Sequence, residues 1–498
     1  MTRAYIVWLS IATWIATLPY DAAAQAKATT PAALEKFDTY VAESVRDWNV
    51  PGLAIALVQD DSLLFAKGYG VRDIGEQAPV TEHTRFAIGS TTKAMTTAGL
   101  AMLVDEGELN WDDRVIDHLP DFRLHDPYAT RALTVRDLLT HRTGLPGTDI
   151  YWTRLDYPIT EMMRRLEHVQ PVSSFRSRWN YQNVVFAIAG VLVERLSGMS
   201  WDAFVRERLF TPLGMAETEP LDARILQQPN VATPHGATDD SVRTVPQRSV
   251  DAVASVGSVW SSVADMSKWL RFMLDTARVG DTPLIASETF REIVAPHIRA
   301  PMALYPVLEL ARPHFFSYAL GWFVHDYEGE IVWMHTGSIN GMSALVGLLP
   351  ARRFGIVVLI NRDHAELRHA LMYRAFDLAR GRADRDWSRE VRAHFENLAR
   401  SEPNQPLAGT PPSLPLDHYA GTYSHPGYTD IRVRLDGDSL LMSIGNGPER
   451  ALEHRDFDVF RTRRDTTGQN TFTATFVPDG AGGIASLRLF GVSFERVE

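Results

Sequence analysis

A proline-rich segment near residue 400 divides the chain into two parts with different hydrophobic patterns. Five prolines lie within 401–415, among few apolar residues, which is the composition of an interdomain linker. Before this segment the apolar stretches are long, whereas after it short segments of alternating polarity are separated by glycine-containing turns. The sequence therefore predicts a large mixed α/β domain at 27–400, a linker at 401–415 and a small all-β domain, barrel or sandwich, at 416–498.

The beginning of the large domain predicts a β-hairpin packed against helices. A helix over 27–50 is followed by a buried strand at 52–58 and a returning strand at 62–69. A helical insertion is expected between 111 and 148. Further strands are predicted at 318–324, 331–335, 342–349 and 354–360, and further helices at 184–196, 201–209, 262–274 and 365–399. This order predicts an antiparallel sheet flanked by helices with a helical subdomain.

The first 26 residues have the pattern of an export signal. Arg3 precedes an apolar run over 4–18, Pro19 ends that run, and 24–26 reads Ala-Gln-Ala, a small-x-small cleavage site. The run is short for a membrane span, although an uncleaved anchor is the alternative. We expect a periplasmic or secreted protein with no stable membrane span once 1–26 is removed.

Composition restricts the class of partner and the chemistry. The net charge of −11 argues against non-specific binding to nucleic acid or to an anionic membrane. The chain has no cysteine, which excludes disulfides, thiolate metal sites and a cysteine nucleophile. Sixteen histidines raise the alternative of a metal-dependent hydrolase, but no His-Glu-x-x-His or comparable pair is present. No metal or cofactor is predicted, and no pattern indicates an oligomeric state.

A serine and a lysine at the start of a predicted helix form the first candidate site. The segment 86–93 reads Phe-Ala-Ile-Gly-Ser-Thr-Thr-Lys, and helically spaced apolar residues follow it. Ser90 and Lys93 therefore project from one face, where an amine kept neutral by burial is a base for the hydroxyl. The alternative is a helix cap beside a solvated lysine. This is the only Ser-x-x-Lys of the chain, and lysine supplies five of the fifty basic residues.

Two further short motifs complete a set that could transfer an acyl group. Residues 181–183 read Tyr-Gln-Asn, and 335–338 read His-Thr-Gly-Ser at the end of an apolar strand. Taken singly, the first could be an element end with Asn183 as a helix cap, and the second a strand that ends in a polar turn. Together with Ser90 and Lys93 they offer a nucleophile, a base, a proton donor and backbone N–H groups for an oxyanion.

Each residue of this set has a chemical role in the hypothesis. Ser90 attacks, and Lys93 and Tyr181 share its proton, since a nearby ammonium lowers the pKa of a phenol toward neutrality. Asn183 holds the lysine or a substrate amide. The strand edge at 337–338 offers a backbone N–H beside that of Ser90.

The order and spacing of the motifs resemble those of the serine β-lactamase and penicillin-binding-protein superfamily. The class C β-lactamase, D-aminopeptidase and esterase branch is the most similar. Its Ser-x-x-Lys, Tyr-x-Asn and Lys/His-Thr-Gly motifs match 90–93, 181–183 and 335–337. The resemblance extends over about 30–390, with supporting segments at 50–54, 67–70, 138–145 and 257–262.

The resemblance implies a fold and a set of roles. It implies a β-lactamase/transpeptidase-like fold, and a C-terminal domain similar to the lipocalin-like barrels of some of these hydrolases. Ser90 would be the acylated nucleophile, Lys93 and Tyr181 the proton-transfer pair, and Asn183 a contact of Lys93 and substrate. His335, Thr336 and Gly337 would line the substrate site, and the N–H groups of Ser90 and Ser338 would form the oxyanion hole.

One departure from the family pattern affects the expected substrate. Most β-lactamases and penicillin-binding proteins have a lysine in the third motif, where its charge recognises a substrate carboxylate. His335 carries such a charge only partly at neutral pH. We therefore expect a serine hydrolase of peptidase or esterase type, acting on a small molecule or short peptide, with a β-lactamase or DD-peptidase as the alternative. A non-catalytic sensor or binding protein of the same fold is a further alternative.

Overall fold

The computed structural model describes residues 29–238, 241–363, 365–382, 384–401, 410–462 and 471–497. The predicted export signal and the middle of the predicted linker, 402–409, lie outside the described residues. Within the described ranges no single helix is long and apolar enough to cross a membrane. One bent pair, Asn183–Ser197 with Trp201–Phe210, passes that test by length and composition only.

An eight-stranded antiparallel sheet forms the centre of the large domain. Its strands are β1 (Gly52–Gln59), β2 (Ser62–Gly70), β3 (Ile298–Arg299), β4 (Phe316–Tyr318), β5 (Phe323–Tyr327), β6 (Glu330–Ile339), β7 (Met342–Leu349) and β8 (Phe354–Ile360). They are ordered β2-β1-β8-β7-β6-β5-β4-β3. The pairing of β1 with β8, Leu53 opposite Ile360, joins the N-terminal hairpin to the last strands of the domain.

Both faces of this sheet are covered, which explains the continuous apolar runs of its central strands. Every residue of β1, β7 and β8 is buried, as expected for strands between two helical layers. Along β1, Ala54 and Ala56 belong to the core on one face, and Leu53 and Ile55 to the core on the other.

The part of the chain that the structure describes has six helices of twelve or more residues. They are α1 (Pro31–Asp47), α2 (Thr92–Asp105), α3 (Asn183–Ser197), α4 (Val263–Leu274), α5 (Leu367–Ala379) and α6 (Trp387–Ser401). The shorter helices are Val115–His118, Pro127–Ala132, Val135–Leu139, Ile150–Thr153, Ile159–Arg165, Trp201–Val205, Asp222–Ile225, Ala254–Gly257, Ser287–Val294 and Leu308–Ala311. Two-residue strands pair Phe86–Ala87 with Trp260–Ser261 beside the start of α2.

The central helix α2 is more deeply buried than its sequence pattern predicted. The sequence predicted one face in the core, but every residue from Thr92 to Leu103 is buried. The helix lies between the sheet and the helical subdomain, so its threonines are buried as well. The hydroxyl of Thr96, for example, donates a 2.6 Å hydrogen bond to the backbone oxygen of Ser255.

Two predicted elements are interrupted by glycines in the left-handed region. The predicted strand at 318–324 is two strands, β4 and β5, because Gly321 has a φ of +81° and turns the chain between them. The predicted helix at 365–399 is two helices, α5 and α6, and Gly381, with a φ of +71°, follows the end of α5. Such backbone conformations are accessible to glycine and do not continue a helix or a strand.

The C-terminal part of the chain forms a closed antiparallel barrel of eight strands in sequence order. The strands are β9 (Gly421–Ser424), β10 (Ile431–Asp436), β11 (Ser439–Ile444), β12 (Arg450–Asp456), β13 (Val459–Thr462), β14 (Thr473–Pro478), β15 (Ile484–Leu489) and β16 (Val492–Arg496). The sequence did not distinguish between a barrel and a sandwich. It predicted strands at 421–424, 430–435, 439–444, 458–461, 471–476 and 485–490 and missed β12 and β16. β12 has one buried position out of seven and therefore lacks a clear alternation.

The barrel packs against the helical subdomain of the large domain. The Tyr428 hydroxyl donates a hydrogen bond of 3.2 Å to the backbone oxygen of Gly147. A guanidinium nitrogen of Arg165 lies 2.7 Å from the backbone oxygen of Tyr428. The Tyr151 ring packs on that of Tyr428 with 5.3 Å between centroids, and its hydroxyl bonds the Gly427 carbonyl. These contacts fix the barrel beside the cavity described next.

Candidate active site

Ser90 lies in a short turn that leads directly into α2. The turn is a 3-10 helix, Gly89–Thr91, and Lys93 is in the first turn of α2. Lys93 Nζ lies 3.0 Å from Ser90 Oγ. Ser90 is partly exposed and lines a cavity of about 690 Å³, whereas Lys93 is fully buried beneath it. The structure thus brings the predicted nucleophile and base into direct contact.

Burial makes Lys93 a usable base near neutral pH. Burial lowers the pKa of Lys93 from 10.5 to about 7, and the charge of Asp149 opposes part of this change. Lys93 Nζ also lies 2.7 Å from Asn183 Oδ1 and 3.1 Å from the Val256 backbone oxygen. A neutral amine has two N–H donors and one lone pair. The two oxygens accept the donors, so the lone pair is left for the Ser90 hydroxyl.

Tyr181 lies next to Ser90 and Lys93 but keeps its proton. Its ring centroid lies 4.9 Å from Lys93 Nζ, and its hydroxyl interacts with the Ser90 side chain. Burial raises the pKa of Tyr181 well above its ordinary value, and the hydrogen bond with Ser90 opposes this only in part. The expectation that a lysine ammonium lowers this pKa is therefore wrong, because desolvation of the phenol dominates. Tyr181 is a hydrogen-bond donor at neutral pH.

Asn183 connects Lys93 to a carboxylate that the sequence analysis missed. It is the first residue of α3 and not its cap, which is Gln182. Asn183 Nδ2 lies 3.0 Å from Asp149 Oδ2, and the Trp152 indole N–H donates to the other carboxylate oxygen at 3.2 Å. Burial raises the pKa of Asp149, and these two hydrogen bonds oppose that change. No motif spacing identified Asp149, which lies in a loop-rich segment.

His141 connects the second motif to the third. Its ring packs between those of Tyr181 and Tyr318, with centroid distances of 4.2 Å and 4.8 Å. Its Nδ1 accepts a hydrogen bond of 3.1 Å from the Gln182 backbone N–H. The Tyr318 hydroxyl in turn lies 3.0 Å from His335 Nε2. The rings therefore hold the Tyr181 segment in a fixed position relative to β6.

His335 and Thr336 lie inside β6, and His335 is uncharged. The strand continues to Ile339, so the motif does not end it as the sequence predicted. Burial, and to a smaller extent the charge of nearby Lys93, lowers the pKa of His335 to about 3. His335 Nδ1 donates to the Thr336 backbone oxygen at 2.7 Å, which leaves Nε2 to accept from Tyr318. The expected partial charge at neutral pH is thus absent.

Two glycines allow β6 to approach the Ser90 turn closely. β6 pairs with β5 only as far as Met334, so its following residues have β7 on one side and the turn on the other. A Cβ atom on Gly89, whose φ is +53°, would lie 2.8 Å from Ser338 N. A Cβ atom on Gly337 would lie 1.9 Å from the Ile88 backbone oxygen. Any larger residue at either position would separate the two segments.

A buried arginine orients the peptide that joins Gly337 to Ser338. Arg368, on α5, donates from one guanidinium nitrogen to the Gly337 backbone oxygen at 2.7 Å and to Ser338 Oγ at 2.8 Å. In a trans peptide the C=O and N–H groups point in opposite directions. The Ser338 N–H therefore points away from Arg368, and its nitrogen lies beside Gly89. No motif or spacing in the sequence predicted this role for Arg368.

Six of the eight predicted site residues line the cavity, and Lys93 and Gly337 lie behind its wall. Ser90, Tyr181, Asn183, His335, Thr336 and Ser338 line it. Its remaining wall is mainly apolar and includes Phe472 and Phe490 of the barrel. In the part of the chain that the structure describes, no group of three or more histidine or acidic side chains is arranged to hold a metal ion.

Comparisons with known proteins agree with this fold. The beta-lactamase family model matches residues 37–381, and a domain of unknown function, DUF3471, matches 405–497. The chain is 28% identical over 435 residues to the unguisins hydrolase ungD of Aspergillus violaceofuscus, covering 80% of this chain and 76% of that one. It is 23% identical over 343 residues to protein flp of Staphylococcus aureus strain COL, covering 66% and 63%.

Solved structures share the fold at low sequence identity. The octameric penicillin-binding protein homologue from Pyrococcus abyssi superposes with a TM-score of 0.62 at 22% identity, covering 93% of this chain and 100% of that one. SurE superposes with a TM-score of 0.57 at 20% identity, covering 93% and 99%. The family model covers most of the large domain, and the chain therefore belongs to the beta-lactamase family.

Proposed function

We propose that this protein is a serine hydrolase that forms an acyl-enzyme on Ser90 and cleaves an amide, peptide or ester bond in a small molecule or short peptide. The observation that carries the proposal is the 3.0 Å contact between Ser90 Oγ and the amine of Lys93, whose pKa burial lowers to about 7. A hydroxyl next to a neutral, buried amine is an activated nucleophile.

The first chemical step is acylation of Ser90. Ser90 Oγ attacks the carbonyl carbon while its proton moves to Lys93 Nζ. The phenol of Tyr181 is protonated at neutral pH and donates its proton to the departing nitrogen or oxygen. The lysine ammonium then returns a proton to the phenol. The bond to the leaving group breaks and the acyl-enzyme remains. Water then attacks the ester, with the same groups moving the proton in the opposite direction.

The oxyanion formed in both steps is assigned to two backbone N–H groups. Ser90 lies in the turn before α2, and the Ser338 N–H points toward that turn because Arg368 binds the carbonyl of the same peptide. Removing one donor of an oxyanion hole costs about 3 kcal/mol, or about a hundredfold in rate. A guanidinium on the carbonyl oxygen also polarises the peptide, which makes its N–H a stronger donor.

The uncharged His335 favours a D-aminopeptidase-like or esterase-like activity over that of a β-lactamase or DD-peptidase. A neutral imidazole in the third motif cannot supply the positive charge that attracts a substrate carboxylate. The similar protein ungD is named an unguisins hydrolase, which agrees with a hydrolytic role for this chain. A non-catalytic sensor would have no use for a lysine whose pKa is lowered to about 7 beside a serine.

Export is part of the proposal, since the first 26 residues have the pattern of a cleavable signal. We expect the mature protein to be periplasmic or secreted. Mass measurement of the protein recovered from the periplasm or medium tests this, because cleavage removes the first 26 residues whereas an intact N-terminus contradicts it.

Covalent labelling tests the assignment of the nucleophile. The full chain is incubated with a fluorophosphonate, the modified residue is located by mass spectrometry, and hydrolysis of a chromogenic ester is followed in parallel. We expect the label on Ser90 and loss of both labelling and hydrolysis in Ser90→Ala. Ser62→Ala, at an exposed serine of β2, is the matched control and should behave as the wild type. A label on another residue, or activity that survives in Ser90→Ala, would contradict the proposal.

A further inference from the structure

Two aromatic side chains of the barrel belong to the wall of the Ser90 cavity. Phe472 and Phe490 line the same cavity as Ser90 and Tyr181. Their rings meet edge to face, with 4.9 Å between centroids, and both are partly buried. The proton transfers and the oxyanion site described above do not involve either ring.

Phe490 occupies the tip of a hairpin that reaches the cavity. Leu489 of β15 pairs with Val492 of β16, so Phe490 and Gly491 form a two-residue turn, and both have positive φ. Phe457 occupies a similar turn between β12 and β13, also at positive φ. Phe457 is 57% exposed, whereas Phe490 is partly buried at the cavity wall. The two turns thus both place a phenylalanine at positive φ, but in different surroundings.

The interface between the domains holds this hairpin in place. The contacts of Tyr428 with Gly147 and Arg165 and the packing of Tyr151 on Tyr428 fix the barrel against the helical subdomain. Arg154, from the same subdomain, also lines the cavity, and its guanidinium carbon lies 5.9 Å from the centroid of the Phe472 ring. The aromatic pair is therefore a fixed part of the cavity wall.

From this arrangement we infer that Phe472 and Phe490 form a specificity subsite for a bulky apolar group of the substrate, aromatic or branched aliphatic, while Ser90 attacks the adjoining carbonyl. This inference rests on the proposed function. Offset and edge-to-face contacts make two perpendicular phenyl rings a favourable surface for a third ring. A cavity of about 690 Å³ has room for such a group beside the scissile bond.

Two pairs of esters show which side of the scissile bond carries the bulky group. Para-nitrophenyl acetate and para-nitrophenyl phenylacetate differ in the acyl group. Methyl acetate and benzyl acetate differ in the leaving group. For each pair the measured quantity is the ratio of kcat/KM for the bulky ester to kcat/KM for the small one. The wild type should prefer the bulky ester in at least one pair.

Phe490→Asn is the main variant, because asparagine tolerates positive φ and the exchange replaces the ring with a small amide group. Phe457→Asn makes the same exchange at the exposed turn and is the matched control. We expect Phe490→Asn to lower the preferred ratio by about tenfold or more, with kcat/KM for the small ester within about twofold of wild type. Phe472→Leu, which keeps an apolar side chain, should lower the same ratio by a smaller factor.

The outcomes separate this inference from the proposed function. If Ser90 is labelled by the fluorophosphonate and neither ratio changes in Phe490→Asn and Phe472→Leu, the subsite is refuted and the hydrolase proposal stands. The subsite is also refuted if Phe457→Asn lowers the ratio as much as Phe490→Asn. If the wild type is not labelled at Ser90, the proposed function itself fails.

Discussion

Lys93 on α2 and His335 on β6 are two buried basic side chains of one site, and burial leaves them with different chemistry. It lowers the pKa of Lys93 to about 7 and that of His335 to about 3. The unperturbed pKa of an amine is about four units above that of an imidazole. The same desolvation therefore leaves the lysine able to exchange a proton near neutral pH and the histidine permanently neutral. The α2 region therefore moves protons, whereas the β6 region provides shape and neutral hydrogen bonds.

The largest loss of activity is expected when Lys93, the proton acceptor, is removed. Lys93→Ala should lower kcat by at least about a hundredfold and up to about ten-thousandfold, which is the range for loss of a general base. Steady-state kinetics on a chromogenic ester measures this. Lys268→Ala, at a partly exposed lysine of α4, is the matched control. Near-wild-type turnover in Lys93→Ala would assign the base to another group.

The next largest effect should come from Tyr181→Phe. The exchange keeps the ring beside His141 and Lys93 and removes the hydroxyl that delivers a proton to the leaving group. We expect a loss of at least about a hundredfold in kcat on a poor leaving group. A smaller loss is expected on para-nitrophenyl esters, whose leaving group needs no proton. Tyr128→Phe, at an exposed tyrosine, is the control, and equal losses on both substrates would contradict the assigned role.

A loss of about ten- to a hundredfold is expected in Arg368→Ala. A hydrogen bond to a charged group contributes about 1.5–3 kcal/mol, and here it orients the peptide that carries the Ser338 N–H. Because the oxyanion exists only near the transition state, kcat should fall while KM stays nearly constant. Arg368→Lys should recover part of kcat. A rise in KM at constant kcat would instead place Arg368 in substrate binding.

The smallest effect is expected at His335. His335→Gln keeps a donor for the Thr336 oxygen and an acceptor for Tyr318, and it removes no charge. The loss should be less than about tenfold, since neutral hydrogen bonds contribute about 1 kcal/mol each. The pH dependence of kcat/KM should not change. A shifted pH profile would show that the imidazole titrates in the enzyme.

Local sequence patterns predicted the parts of the site that depend on spacing along the chain. The separation of Ser90 from Lys93 predicted one helical face, and the structure places the two side chains in contact. The strands at 342–349 and 354–360 were predicted with their observed bounds, because continuous apolar runs indicate buried strands.

The missed features depend on the folded environment. Asp149 and Arg368 act through partners 34 and 31 residues away in the sequence, and neither belongs to a motif. The predicted direction of the Tyr181 pKa shift was wrong, because burial determines that shift and cannot be read from sequence spacing. The interruptions after Tyr318 and Ala379 were missed because a single glycine in an apolar pattern does not identify the element boundary.

The pH dependence of Ser90 labelling tests the central claim most directly, because labelling by a fluorophosphonate requires the deprotonating base but no leaving-group acid. The rate constant should rise with pH, reach half its maximum near pH 7 and stay constant above, as neutral Lys93 becomes available. In Asp149→Asn the midpoint should move to lower pH, since the charge of Asp149 raises the pKa of Lys93. A rate independent of pH between about 5 and 9, or a midpoint unchanged in Asp149→Asn, would contradict the account.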